Sequence, residues 1–224
     1  MKFNTLSTMM CFLALGASVS ARAISEPIAH RFVPTWEVAI EPGQNLWEET
    51  ILVNGTIQQV DAYMEAHYPG WSAKHAHFSS PYPVHAKEAP ASLPELMKVK
   101  SVTCNYPLHQ ASTRAILGAM DHLRRIGMDR GPRWSPRPGT CGKLSCSDEG
   151  AIFWCNDSDT LRLKTLEAFS DIVVAAEAIL SHCAISSDTL MPMVSGKTTL
   201  FGDYSFIVGK SSCGAKWLWR NTGH

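Results

Sequence analysis

Net charge is missing from this chain. Lys and Arg together number 20, and so do Asp and Glu. A balanced chain has no broad electrostatic pull toward nucleic acid or an anionic lipid surface, so neither is an expected partner. Beyond residue 23 no apolar run reaches the roughly 18 residues a bilayer crossing needs, and no membrane span is expected. Cysteine is absent from residues 24–103. Paired C-x2-C and H-x3-H spacings are absent throughout, which argues against a zinc frame. There is no G-x-S-x-G elbow of the hydrolase type. The expectation is a monomer with no metal and no cofactor.

What is present begins with a leader. Lys2 gives a positive start, Met9 to Leu15 an apolar stretch, and Ala21-Arg22-Ala23 a small-residue cleavage site. This is the layout of a secretory signal peptide over residues 1–23, with a mature chain from Ile24 and a secreted, extracellular destination. Cleavage removes Lys2 and Arg22 and no acid. The hydrophobic share is 45% and the charged share 18%, an ordinary globular balance that argues against wholesale disorder.

Cys11 leaves with the leader. Cys104, Cys141, Cys146, Cys155, Cys183 and Cys213 remain. An even count in an oxidising compartment reads as three disulfides, all stapling the C-terminal half.

Along the chain, residues 24–70 read as strand, strand, helix. Trp36 to Ile40 alternates, Thr50 to Val53 is a second strand, and a helix runs from about residue 56 to 67 before Pro69-Gly70 stops it. Residues 71–97 read as a Pro/His-rich linker. Its His75, His77 and His85 suit a solvated loop better than a metal site, because no carboxylate or cysteine completes a set nearby. Residues 98–216 read as the disulfide-stapled domain, and 217–224 as a tail. In that domain a strand ends at Cys104. A helix spans about 111–126 with Gly127 as its cap, and a Gly/Pro/Arg loop follows. Residues 143–147 and 151–155 form a hairpin around Asp148-Glu149-Gly150. A helix capped near Ser170 ends in Cys183, residues 184–203 are turn-rich, and a last strand covers 203–208. The expected fold class is α+β, an antiparallel sheet flanked by helices. If residue 147 faces 151, Cys146 and Cys155 point to opposite faces and a bond between them is not expected. The other partners of Cys155 stay open, with Cys183 taken as the expected one.

Candidate chemistry is thin. Ser195-Gly196-Lys197-Thr198 matches the end of a phosphate loop, but position 191 is Met where that loop has glycine, so a turn is the better reading. His109, His122 and His182 have no motif around them, and Asp148-Glu149 sits at a hairpin tip, so no catalytic residue is assigned. Asn54-Gly-Thr56 and Asn156-Asp-Ser158 are N-glycosylation sequons. Trp134, Trp217 and Trp219 are candidates for a sugar or protein contact surface.

Gly139-Thr-Cys-Gly-Lys-Leu-Ser-Cys-Ser with Ala151-Ile-Phe-Trp-Cys-Asn-Asp resembles a group of fungal secreted proteins that carry a "CGRVSCS…AIWWCND" block. In that group a helix ending in Cys, a strand and a last Cys follow, matched here by Ala168–Cys183, Tyr204-Ser-Phe-Ile-Val and Cys213. Thr35-Trp-Glu-Val and Leu52-Val-Asn-Gly-Thr-Ile are similar to its N-terminal part. Asp148-Glu149 and the long His/Pro linker depart from the pattern. The resemblance implies an effector candidate or toxin-like protein with a killer-toxin-like α/β build. It would interact with a protein or wall component of a host plant or competing microbe, and no catalytic residue carries over. The rival expectations are an extracellular enzyme, a hydrolase or tailoring enzyme, and a cell-wall carbohydrate-binding protein.

Overall fold

A computed structural model describes residues 30–41, 49–76, 99–106, 108–125, 132–133, 136–159, 166, 169–187, 190–200 and 203–214. The elements run β1 (His30–Phe32), β2 (Thr35–Ala39), β3 (Thr50–Asn54), α1 (Ile57–His67), α2 (Trp71–Ala76), β4 (Val99–Cys104), β5 (Ala111–Ser112), α3 (Thr113–Arg125), β6 (Cys141–Ser147), β7 (Gly150–Asn156), α4 (Phe169–Cys183), β8 (Ile185–Ser187), β9 (Leu190–Val194), β10 (Gly196–Leu200) and β11 (Tyr204–Lys210). The class is α+β. Five strands form an antiparallel sheet in the order β6-β7-β11-β10-β4, and β1 joins β6 in parallel at one edge. Two small sheets, β2-β3 and β5-β9-β8, complete the strands.

β7 lies inside this sheet and all seven of its residues are buried. Its side chains divide between two cores, as strand alternation requires. Ile152 and Trp154 join the large cluster with Ile116, Met120, Ile172, Ala176 and Ile179, where α3 packs on β6 and β7 and α4 on β4, β10 and β11. Ala151, Phe153 and Cys155 face the other way, with Ile207 and Leu108. An unbroken apolar run is what a strand covered on both faces must carry. Gly196 allows α4 close to β10, since a Cβ there would lie 2.6 Å from the Ile179 Cγ2. Thr198 donates its hydroxyl to the Ala175 carbonyl at 3.0 Å across the same seam.

The N-terminal block is not a separate unit. Trp36, Val38, Val53, Ile57, Val60, Met64 and Trp71 belong to the large cluster. Gln58 donates to the Ser145 hydroxyl at 2.7 Å and accepts from the Cys146 amide at 3.2 Å.

The linker expectation fails at its start, because residues 71–76 form helix α2. The preceding helix supplies its cap. Glu65 accepts the Gly70 amide at 2.7 Å and the Ser72 amide at 3.0 Å, and these bonds hold its carboxyl below the ordinary range, the Ser72 amide first. Asp61 accepts the Ser72 hydroxyl at 2.6 Å. Residues 77–98, with His77 and His85, lie outside the described residues, as does Gly127.

The expected turn-rich stretch after Cys183 instead builds β8, β9 and β10. Ser195-Gly196-Lys197-Thr198 therefore enters a strand between β4 and β11 and is not a turn. These strands are short, and distant neighbours, β5 for β9 and β4 for β10, help complete the last two.

The hairpin register also differs. Ser147 pairs with Gly150, so the loop is Asp148-Glu149 alone. Both residues have positive φ, 45° and 63°, as a type I′ turn demands. A bulge at Leu144 then shifts β6, so Leu144 and Ser145 both turn toward the helices and Cys141 and Cys146 both meet the opposite core.

Candidate functional site

Three disulfides frame the molecule: Cys104–Cys183, Cys141–Cys155 and Cys146–Cys213. The expected Cys155–Cys183 bond does not form. Cys155 faces away from the helices with Phe153, whereas Cys183 ends α4 in the helix-side core. Cys146 and Cys155 do not bond, but not because they sit on opposite faces. The bulge puts them on one face, where Cys155 stands directly across from Cys141 and Cys146 from Ala151. The links tie edge strand β4 to α4, β6 to β7, and β6 to the segment after β11.

On the face opposite the helices, two lysines lie over aromatic rings. Lys143 Nζ is 5.6 Å from the Phe153 centroid and donates to the Ser212 carbonyl at 2.7 Å. Lys197 Nζ is 5.7 Å from the Tyr106 centroid and 3.0 Å from Asp157 Oδ1. Each partly exposed cation is held by contacts within the chain, so these contacts brace the sheet face.

The β8–β9 hairpin has a different surface. Ile185 is 51% exposed and Met191 57%, the two most exposed large apolar side chains among the described residues. β8 follows α4 one residue after Cys183, so the Cys104–Cys183 link anchors its base. The Thr113 hydroxyl donates to the Pro192 carbonyl at 2.9 Å and holds β9 against α3. Ile185 pairs across to Met193. The hairpin thus holds two apolar side chains, one of them an adaptable methionine, out to solvent on a pinned base. Sequence reasoning missed this surface because it read no strands there. No alternation marks it, since Ile185 follows Ala184 and precedes Ser186, Ser187 and Asp188.

The histidines lie on different elements. His75, on α2, is 5% exposed. Its Nδ1 lies 2.9 Å from the Trp71 carbonyl, its ring stacks on Trp71 at 4.0 Å, and its Nε2 is buried without a partner. The solvated-loop expectation is thus corrected for His75. Burial holds its pKa below the ordinary imidazole range, against the raising effects of the Trp71 carbonyl and the Glu41 charge, while Lys74 lowers it further. His109 is exposed before β5, His122 half-buried on α3, and His182 exposed at the end of α4 with Nδ1 2.8 Å from the Ala178 carbonyl. Among the described residues no group of three His, Cys, Asp or Glu side chains is placed to hold a metal ion. No helix among them is long and apolar enough to cross a membrane.

A pH dependence follows from His75. The folded imidazole takes up a proton less readily than the unfolded one, which titrates near 6.5. The unfolded state then binds more protons, so stability present at pH 7.5 falls as pH drops below about 6.5. Thermal unfolding from pH 7.5 to 5.5 should show this fall, and the His75→Phe variant should show a shallower one. Parallel profiles would remove His75 as the cause.

The two sequons differ in setting. Asn54 is exposed at the end of β3. Asn156 is 2% exposed at the end of β7. Trp134, Trp217 and Trp219 lie outside the described residues. Comparison with known proteins finds no matching family model, no matching curated protein and no matching solved structure.

Proposed function

We propose that this chain is a secreted, non-catalytic binding protein of the fungal effector or toxin-like kind, acting on a host plant or a competing microbe. The observation that carries this reading is the pairing of a three-disulfide frame with the exposed Ile185 and Met191 on the hairpin anchored at Cys183. Disulfides suit a protein that works outside the reducing cytosol. They also keep a contact surface ordered, which limits the ordering cost of binding. The leader-like residues 1–23 and the Cys-centred block agree with it.

Infiltration of plant leaf with purified oxidised protein, beside a reduced and alkylated control, tests the reading. Necrosis or defence activation with the oxidised form alone is expected. Introducing charge at the hairpin with Ile185→Asp and Met191→Asp should weaken the response at least about tenfold, since each buried apolar anchor contributes on the order of 1–2 kcal/mol. No response from the oxidised protein in leaf, and no growth inhibition of competing microbes, would overturn it and turn attention to polymer binding and hydrolysis.

A further inference from the structure

We propose that Asn54 carries an N-linked oligosaccharide whose first sugar covers Leu52, and that Asn156 stays unmodified although its sequon is complete. The inference rests on entry into the secretory route.

The amide chemistry separates the two sites. Asn54 Oδ1 accepts the Thr35 hydroxyl at 2.6 Å. That bond uses the carbonyl oxygen, which a glycosylated amide keeps, and it orients the carboxamide on an exposed strand end. Asn156 uses both ends of its amide internally. Its Nδ2 donates to the Pro136 carbonyl at 2.9 Å and its Oδ1 accepts the Ser158 amide at 3.0 Å. Its backbone is also engaged, donating to Thr140 at 3.0 Å and accepting from Gly139 at 2.8 Å. Asn156 is 2% exposed and its nitrogen is turned to the Pro136 carbonyl, so a chain carrying a sugar there does not close this end of the hairpin.

A second observation places the sugar. Leu52 is 50% exposed and lies two residues before Asn54 on β3, so both point from the same outward face, about 7 Å apart along the strand. The apolar face of a first N-acetylhexosamine ring spans that distance.

In the transfer, Asn54 Nδ2 attacks the anomeric carbon of a lipid diphosphate-linked oligosaccharide. The C–N bond forms, the C–O bond to the diphosphate breaks, the lipid diphosphate leaves, and the amide gives one proton to the transferase's base.

The test is secretion of the full chain from a eukaryotic host, with intact mass and peptide mapping before and after peptide N-glycosidase, and sequencing of the product's N-terminus. One glycan is expected, with enzymatic conversion to Asp at position 54 alone. Asn54→Gln and Thr56→Ala should each abolish it, and Ser158→Ala should leave the mass pattern of glycosylation unchanged. A secreted, cleaved product with no glycan, or with one at Asn156, would overturn the inference while leaving the secretory reading in place. An uncleaved product kept in the cytosol would overturn both.

Discussion

The double variant Cys104→Ala/Cys183→Ala is expected to lose about 4 kcal/mol of stability, the largest loss from any single link. The reason is loop length and position. This bond closes a separation of 79 residues, against 67 for Cys146–Cys213 and 14 for Cys141–Cys155. The free unfolded chain gains the most entropy when the longest loop opens. Among the described residues β4 is also an edge strand, bonded within the sheet to β10 alone, and of its side chains only Val99 and Val102 pack against the core. Little burial replaces the link once it is gone. Cys141→Ala/Cys155→Ala should cost about 3 kcal/mol, because its two strands are neighbours in a tight hairpin already. Urea denaturation under non-reducing conditions measures both, and native-state hydrogen exchange should show β4 amides opening first in the Cys104/Cys183 variant. A greater loss from the Cys141/Cys155 pair would reverse this assignment.

Trp154→Ala should cost about 3–5 kcal/mol, whereas Trp154→Phe should cost under about 1.5 kcal/mol. Trp154 is fully buried between Gly142 on β6 and Phe206 on β11. Phe32 of β1 meets its ring edge-on at 6.4 Å. That approach depends on Gly142, where a Cβ would lie 2.4 Å from the Phe32 ring. Alanine at 154 therefore removes the floor under Phe32 and loosens β1 from the sheet edge. The indole N–H complicates a simple size argument, since it is buried with no acceptor. An unmet buried donor costs about 1–3 kcal/mol. Phenylalanine removes that donor and keeps most of the ring, so the smaller cavity is largely offset. Chemical denaturation of the three proteins distinguishes the cases. Equal losses for Phe and Ala would mean that the six-membered ring alone does not support Phe32.

The α+β class was legible in the sequence, and so were most of its segments. Trp36 and Val38 alternate into the core as expected. The helices before Arg125 and Cys183 stand close to their expected bounds, and the Ala151–Cys155 run is a doubly buried strand. The cysteine count implied three links, and three are present. Their partners were not legible. Pairing Cys141 with Cys155 required a two-residue turn and a bulge at Leu144, each of which shifts the register by one residue. Helix α2 was missed because Glu65, five and seven residues upstream, satisfies its first amides. Strands β8, β9 and β10 were missed because each is short, and β9 and β10 also depend on distant partners, Ala111–Ser112 and Val99–Cys104.

The same division holds at the candidate sites. Both sequons are plain in the chain, but burial and two internal hydrogen bonds close Asn156 while Asn54 stays open. The six cysteines, the leader-like start and the amphipathic helices follow from residue types at fixed local spacing, so the sequence by itself determined them. Cysteine partners, the buried setting of His75 and the exposure of Ile185 and Met191 were decided only in the tertiary structure. They depend on which distant residues share a face, and a single bulge is enough to change that.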